Sequence, residues 1–291
     1  MELRSDLILT PPRDAATVVL LRDAPQGLEV FLVKRHGLSD VLGGAYVFPG
    51  GKLDDSDAQL AEQAHLDQSS DAMHAALGEP EATPAQAKGL YVAALREAFE
   101  ESGVLFADHA DAVKTQEAMR LMREGMPFNQ ILTALSLRLS TRVLAPWSRW
   151  ITPKMASVST KRFDTRFFVA AIPHAQVARH DDFETTESVW LSPRAALEQY
   201  WARGIELAPP QIMSLAHLAR HNTVETVMSE ARTQTPPLVC PEPHDAHGER
   251  VLCYPGDARH SVVQRALPGP TRLIYRNRRF EPTDGFEALF Q

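Results

Sequence analysis

Apolar residues near the start of the chain form two short runs that are typical of buried β-strands. The first run is Ala15 to Leu21 (AATVVLL), and the second is Leu28 to Lys34 (LEVFLVK). The residues between them, DAPQG, favour a turn, so the two runs predict a β-hairpin. A glycine-rich stretch follows, in which Ala45 to Phe48 predicts one further short strand.

The strongest helix signal begins at Thr83, where the sequence TPAQ matches the residue types of a helix start. Thr83 suits the N-cap, Pro84 the first helical position, and Gln86 the position three residues after the cap. We predict that this helix continues to Ser102. It should end at Gly103, because glycine adopts the left-handed backbone that commonly closes a helix.

The rest of the chain predicts a mixture of helices and strands. Residues 56–81 are polar and alanine-rich, which indicates a partly helical insertion, and residues 111–139 predict one or two more helices. From Thr233 onward the chain is rich in proline, with short strands predicted at 250–254 and 271–275. The other predicted elements are strands at Arg162–Ile172 and Ser188–Leu191 and helices at Pro193–Arg203 and Pro210–Arg232.

Composition narrows the class of protein. The 291 residues carry a formal net charge of −7, which argues against a broad nucleic-acid-binding surface. Cys240 and Cys253 are the only cysteines, so we expect a reducing compartment, namely the cytoplasm, rather than a disulfide framework. We expect neither a signal peptide nor a membrane partner, since the apolar runs are shorter than the roughly 18 residues of a membrane span.

Three carboxylates of the predicted helix point to a metal site. Glu97, Glu100 and Glu101 stand at i, i+3 and i+4 and therefore lie on one helix face. Such a cluster is, by itself, more often a solvated acidic surface. However, a glycine pair precedes the helix in Phe48–Lys52 (FPGGK), and glycine lets the main chain approach a ligand closely. Together the two features favour a hard cation such as Mg²⁺, which prefers carboxylate and carbonyl oxygens.

At this point the sequence resembles the Nudix hydrolase family, whose motif reads G-x5-E-x7-R-E-U-x-E-E-x-G-U, with U a bulky apolar residue. Asp57 stands where the first glutamate belongs, and Ala98 fills the first U position. The spacing differs, because 38 residues separate Asp57 from Arg96 where the motif has seven. A long insert of this kind is typical of the branch similar to the mammalian peroxisomal CoA diphosphatase. The residues that match in register are Gly51, Arg96, Glu97, Glu100, Glu101, Gly103 and Val104.

The resemblance implies an α/β fold, namely a Nudix-type α/β/α sandwich with a mixed sheet and helical insertions. We assign residues 10–232 to the Nudix domain, with inserts at about 58–81 and 108–139. Residues 233–291 form a proline-rich extension that we expect to pack on the same domain. A lengthened surface loop of this kind is tolerated, because loop-closure entropy grows slowly with length.

The resemblance also implies a reaction, the metal-dependent hydrolysis of the diphosphate bond in a nucleoside diphosphate linked to another group. Glu97, Glu100 and Glu101 would bind Mg²⁺ or Mn²⁺, with the carbonyl of Gly51 completing the site. Arg96 would orient a glutamate of the helix. The favoured substrate is CoA or acyl-CoA, and the alternatives are ADP-ribose or NADH. A non-catalytic, nucleotide-sensing module of the same fold is the alternative of another class.

Candidate substrate-binding residues are basic. Arg35 belongs to a partial match with a signature of CoA-cleaving members of the family and could bind phosphate through two hydrogen bonds. Lys52 follows the glycine pair, and Arg162 and Arg166 share one face of a predicted strand. Each of these side chains could instead be a solvated surface charge. For the general base we favour Glu184, which precedes a predicted strand in an acidic segment, and place Glu187 second.

Overall fold

The structure is a computed structural model that describes residues 7–37, 42–60, 62–155, 161–181, 185–246 and 249–291. Its first part contains a hairpin, two short strands, three short helices and one long helix. These elements are the strands β1 (Arg13–Ala24), β2 (Gly27–Arg35), β3 (Tyr46–Val47) and β4 (Gly50–Lys52), followed by the helices α1 (Asp55–Gln59), α2 (Glu62–His65), α3 (Ser70–Leu77) and α4 (Pro84–Ser102).

The middle of the chain adds a second helical insertion, three longer strands and three helices. In chain order these are β5 (Ala107–Asp108), α5 (Ala112–Arg123), α6 (Phe128–Ala134), β6 (Arg138–Leu139), β7 (Ala145–Ile151), β8 (Phe163–Ala171), β9 (Thr185–Leu191), α7 (Pro193–Trp201), α8 (Pro209–Leu218) and α9 (Val224–Thr233). The last part contains β10 (Leu238–Val239), β11 (Glu242–Ala246), β12 (Glu249–Cys253), β13 (Arg272–Arg276) and β14 (Arg279–Glu281). Short 3₁₀ turns lie at Thr141–Val143 and Phe286–Phe290.

The main sheet is mixed, as the sequence predicted. Its strand order is β10-β7-β8-β1-β2-β3, with β4 paired to β1 and β9 paired to β2. The pairs β1–β8 and β7–β10 are parallel, and the other pairs in this sheet are antiparallel. Strand β1 therefore lies at the centre and connects the hairpin to the strands that follow the second insertion.

Helices cover both faces of this sheet, which confirms the predicted α/β class. Alternate side chains of β1 point to opposite faces, so Val18 packs with α4 and the insertions, and Val19 packs with α7, α8 and α9. The long helix α4 also contacts α1 and α3. It is consequently buried almost all round, which explains why its weak apolar periodicity still gives a stable helix.

Helix α4 begins and ends where the sequence predicted. The Thr83 hydroxyl accepts a hydrogen bond from the Gln86 amide at 3.1 Å, and Pro84 occupies the first turn. Gly103 adopts a φ of 70°, and its amide donates to the Phe99 carbonyl at 2.9 Å. These two caps fix the position of the acidic residues along the helix.

The predicted helix over Pro210–Arg232 was wrong in one respect, because the structure has two helices there. A turn at 219–223 separates α8 from α9, and the Thr223 hydroxyl caps α9 by accepting from the Thr226 amide at 3.3 Å. Strand β7 was not predicted, since it contains Pro146, and proline is uncommon within strands. The pairing of β7 with β8 shifts register next to Pro146, which accommodates the missing donor.

The proline-rich extension packs against α7 and α8 rather than standing apart. Strands β11 to β14 form an antiparallel sheet whose Leu252, Leu273 and Phe280 join the same apolar cluster as α8. The Tyr200 hydroxyl donates to the Phe280 carbonyl at 2.7 Å and accepts from its amide at 3.0 Å. Within the described residues, we find no helix with the length and hydropathy needed to cross a membrane.

Candidate active site

The glycine pair lies directly against the acidic face of α4. Strand β4 brings both glycines beside β1, and the Gly50 amide donates to a Glu101 carboxylate oxygen at 3.0 Å. A Cβ at Gly51 would stand 2.2 Å from a Glu97 carboxylate oxygen, and one at Gly50 would stand 2.6 Å from the Ala16 carbonyl. Glycine is therefore required at both positions for the main chain to reach the carboxylates.

The three glutamates differ in exposure. Glu97 and Glu101 are 9% and 2% exposed, whereas the side chain of Glu100 is 36% exposed. Burying carboxylates is unfavourable unless partners compensate the charge. The donor set consists of carboxylate oxygens beside a glycine main chain, so it fits a hard, oxygen-preferring divalent cation.

The guanidinium of Arg96 is the main positively charged group among these carboxylates. Its Nε and Nη2 donate to the two carboxylate oxygens of Asp57, each at 2.9 Å. Its Nη1 donates to Glu97 at 2.7 Å and to Glu100 at 2.9 Å. Burial opposes the charge of Arg96, but the hydrogen bonds to Asp57 and the neighbouring carboxylates raise its pKa above the ordinary value. Arg96 thus holds two of the glutamates in fixed orientations.

Asp57 reaches Arg96 although 38 residues separate the two in sequence. Asp57 lies in the first turn of α1, where a carboxylate oxygen accepts a hydrogen bond from the Asp54 amide at 2.9 Å. The same carboxylate is 2% exposed and pairs with Arg96 through two hydrogen bonds. Helices α2 and α3 lie between these positions in sequence, so the insertion leaves the Asp57–Arg96 contact in place.

A cavity of about 800 Å³ opens onto the acidic face. Arg96, Glu97 and Glu100 line one part of it, together with the basic residues Arg35 and Lys52. The Nε atom of Arg35 is buried and forms no hydrogen bond within the part of the chain that the structure describes.

Several apolar side chains also line the cavity. Phe48, Trp150 and Phe167 line it from the main sheet, and Leu252 lines it from β12 of the C-terminal extension. The N-terminal turn of α8 contributes Pro209, Pro210 and Gln211. The lining of the cavity therefore combines charged side chains with apolar ones, which suits a ligand that has both an anionic part and a weakly polar part.

Several candidate residues are not brought to this cavity. Arg166 is 2% exposed and pairs with Glu79 at 2.6 Å, with Asp14, and with Asp164. Arg162 donates to the Thr152 carbonyl at 2.9 Å and does not line the cavity. The alternation of side chains along a strand placed these two arginines on one face. On that face, however, their donors are already bound by the carboxylate and carbonyl groups just named. The structure therefore places neither arginine at this cavity, and their role in substrate binding stays a prediction.

Two other basic residues, Arg13 and Lys161, line the cavity instead. Arg13 pairs with Phe163 in the parallel β1–β8 register, which places its strand end beside the residues that follow Lys161. Arg13 begins β1, whereas Lys161 lies two residues before β8 and next to the candidate Arg162. The contact between β1 and β8 was needed to reveal that they lie near each other.

Glu187 lies on β9 and is also outside the group of residues that line the cavity. It accepts hydrogen bonds from the Tyr46 hydroxyl at 2.6 Å and from Lys34 Nζ at 3.0 Å. These hydrogen bonds, that of Tyr46 first, lower the pKa of Glu187. Burial and the hydrogen bond with Glu187 raise the pKa of Tyr46 to about 12. Glu184, the first choice for the base, lies outside the described residues.

The glycine pair, the acidic face of α4 and the adjoining cavity agree with the family to which the sequence can be matched. Residues 12–218 match the model of the NUDT19 Nudix domain. The chain therefore belongs to the Nudix hydrolase family, and the match covers the main sheet except β10, together with α4, both insertions and α8.

Individual relatives are more distant. The chain is 28% identical over 225 residues to a Xenopus laevis protein named acyl-coenzyme A diphosphatase NUDT19, covering 65% of this chain and 59% of that protein. It is 24% identical over 270 residues to putative nudix hydrolase 7 of Caenorhabditis elegans, covering 91% of this chain and 80% of that protein. Among solved structures, a Nudix hydrolase from Alicyclobacillus acidocaldarius is 29% identical with a TM-score of 0.61, covering 76% of this chain and 97% of that one.

Proposed function

We propose that this protein hydrolyses the diphosphate bond of CoA or an acyl-CoA with the help of Mg²⁺ or Mn²⁺. The observation that carries the proposal is the cavity itself. Residues of the acidic face of α4 and the basic residues Arg35 and Lys52 line it, together with apolar side chains such as Phe48, Trp150 and Leu252. CoA has the matching character, since a nucleoside diphosphate is joined to a long, weakly polar arm. Similarity to a protein named acyl-coenzyme A diphosphatase supports the same substrate class.

In this proposal Glu97, Glu100 and Glu101 hold the cation, and the carbonyl of Gly51 completes the site. The bound cation would neutralise the diphosphate and the charge that develops as water attacks phosphorus. The role of Arg96 is positional, because its hydrogen bonds fix Glu97 and Glu100 before the cation arrives.

The basic residues of the cavity would bind the substrate anion. Arg35 supplies a buried Nε donor that is not used within the described part of the chain, and Lys52 is largely exposed beside it in the cavity. Phe48, Trp150 and Leu252 would hold the weakly polar arm of the substrate and exclude water from it. Leu252 belongs to the C-terminal extension, so the extension would contribute to substrate selection.

A substrate panel tests this assignment directly. With Mg²⁺ at one fixed concentration, kcat/KM should be higher for CoA and acetyl-CoA than for ADP-ribose or NADH. The products from CoA should be 3′,5′-ADP and 4′-phosphopantetheine, separated by chromatography. A clearly higher kcat/KM for ADP-ribose or NADH would identify those compounds as the preferred substrates instead. Binding without turnover of any of the four would indicate a nucleotide-sensing module.

The identity of the general base gives a second prediction. We propose Glu184 for this role, so Glu184→Gln should lower kcat by about 10²-fold or more, the usual effect of losing a general base. Glu187→Gln should leave kcat close to wild type, because Glu187 is held by Tyr46 and Lys34 and its lowered pKa makes it a weak base. Inactivity of Glu187→Gln together with an active Glu184→Gln would reverse the assignment.

A further inference from the structure

We propose a second metal site, formed by His217, His221 and Glu230, that binds one Zn²⁺-like transition-metal ion. His217 Nε2 lies 2.7 Å from one carboxylate oxygen of Glu230, and His221 Nε2 lies 3.3 Å from the other. One ligand atom from each residue lies within 4.8 Å of the other two. Two imidazoles and one carboxylate form a ligand set that zinc uses when a water molecule supplies the fourth ligand.

The three side chains are largely buried, as expected for metal ligands that the protein holds in position before the ion binds. The side chains of His217 and His221 are 11% and 10% exposed, and that of Glu230 is 36% exposed. His221 Nε2 is buried and makes no hydrogen bond of normal geometry within the described residues, although Glu230 is near. A cation between the three groups would satisfy this nitrogen. The more exposed side of Glu230 leaves access for the ion and for water.

Local structure explains how the three residues meet. His217 lies at the C-terminal end of α8, and His221 lies in the turn that follows this helix, with the two ring centroids 6.2 Å apart. The turn at 219–223 reverses the chain, and α9 then carries Glu230 back to them. The ring of Trp147, in β7, packs on the ring of His217 with centroids 4.4 Å apart. A metal ion here would fasten α8 to α9 against the main sheet.

This site is chemically distinct from the acidic face of α4. The α4 site offers carboxylate and carbonyl oxygens, which suit Mg²⁺ or Mn²⁺, whereas imidazole nitrogens suit Zn²⁺ and related ions. None of its three residues lines the cavity as the structure describes it. The opposite end of α8, at Pro209 to Gln211, does line the cavity. The ion would consequently have a structural role, stabilising the helix whose first turn forms part of the cavity wall.

Zinc binding can be measured independently of catalysis. The full chain is stripped with a chelator and placed in millimolar Mg²⁺ to occupy the α4 site. Zn²⁺ is then titrated in equilibrium dialysis, and bound metal is determined by elemental analysis. We expect one tightly bound equivalent and a rise in Tm on zinc addition. Co²⁺ in place of Zn²⁺ should give the visible absorption of a site with nitrogen ligands.

Variants of the ligands and matched controls decide the outcome. His221→Ala and Glu230→Gln should weaken Zn²⁺ binding by more than about 10-fold, since even the loss of an outer-shell partner usually weakens binding by 10- to 100-fold. Two control variants should still bind one equivalent of Zn²⁺. They are Glu225→Gln, at an exposed position of the helix that carries Glu230, and Glu100→Gln, in the α4 site. Circular dichroism establishes that the variants are folded. Equal zinc affinity in wild type, His221→Ala and Glu230→Gln would overturn the proposal.

Discussion

Glu100→Gln and Glu101→Gln should each lower kcat for the preferred diphosphate by about 10²- to 10³-fold, the loss typical when one preorganised charge-stabilising group is removed. Glutamine keeps the size of glutamate but lacks the charge that holds a hard cation. The Mg²⁺ concentration needed for half-maximal activity should also rise. Steady-state kinetics over a range of Mg²⁺ concentrations measures both effects.

The same substitutions should change stability little. In Glu101→Gln, the amide oxygen can still accept the hydrogen bond that the Gly50 amide donates at 3.0 Å. In Glu100→Gln, Arg96 keeps its bonds to Asp57 and Glu97. We therefore expect the free energy of unfolding without metal to change by less than about 1 kcal/mol.

A surface glutamate provides the matched control for these two variants. Glu117 lies on α5 with a side chain that is 40% exposed, and it also accepts hydrogen bonds from an arginine, Arg120. Glu117→Gln should leave both kcat and the Mg²⁺ dependence unchanged. Wild-type turnover in both Glu100→Gln and Glu101→Gln would mean that the acidic face holds no catalytic cation, and the proposed metal site would be lost.

The acidic face was predictable because its determinants are local. The cap at Thr83, the end at Gly103 and the helical period place Glu97, Glu100 and Glu101 without any knowledge of tertiary structure. The glycine pair was likewise recognised from residue type alone. What local patterns could not show is that the Gly50 amide contacts Glu101, since that contact depends on the pairing of β4 with β1.

Contacts between distant parts of the chain were predicted less well. The family pattern placed Asp57 where the first glutamate belongs, but the contact of Asp57 with Arg96 was not predicted, because no local signal connects positions separated by 38 residues. Arg166 was assigned to substrate, since strand periodicity identifies a face but not the partners on it. Leu252 was missed as a cavity residue because its position depends on how the C-terminal sheet packs.

The His217–Glu230 contact shows how an error in secondary structure hides a site. In one continuous helix, 13 residues would separate these side chains by roughly 20 Å along the axis. The turn at 219–223 brings them to 2.7 Å instead. The local signals for that turn were Thr223, which caps α9, and Asn222, because both residue types have low helix propensity and suit a cap.

Arg96→Ala should be the most destabilising of these substitutions. Asp57 is 2% exposed and receives two hydrogen bonds from Arg96, so removing the arginine leaves a buried carboxylate without its cation. Breaking one partner of a buried ion pair typically lowers the free energy of unfolding by about 3–5 kcal/mol. Chemical denaturation without divalent metal measures this loss. Turnover should fall too, because Glu97 and Glu100 lose the side chain that orients them.

A double-mutant cycle with Asp57→Asn separates the ion pair from other contacts of Arg96. Asp57→Asn removes the carboxylate charge, so adding Arg96→Ala to it should destabilise the protein less than Arg96→Ala destabilises the wild type. The cycle should give a coupling free energy well above the few tenths of a kcal/mol found for independent sites. Arg96→Lys keeps the charge but not the paired donors, so its stability should lie between wild type and Arg96→Ala. Additive effects in the cycle would contradict the proposal that Asp57 anchors α4 through its ion pair with Arg96. In this proposal the pair is kept although the segment between the two residues is 31 residues longer than in the family motif.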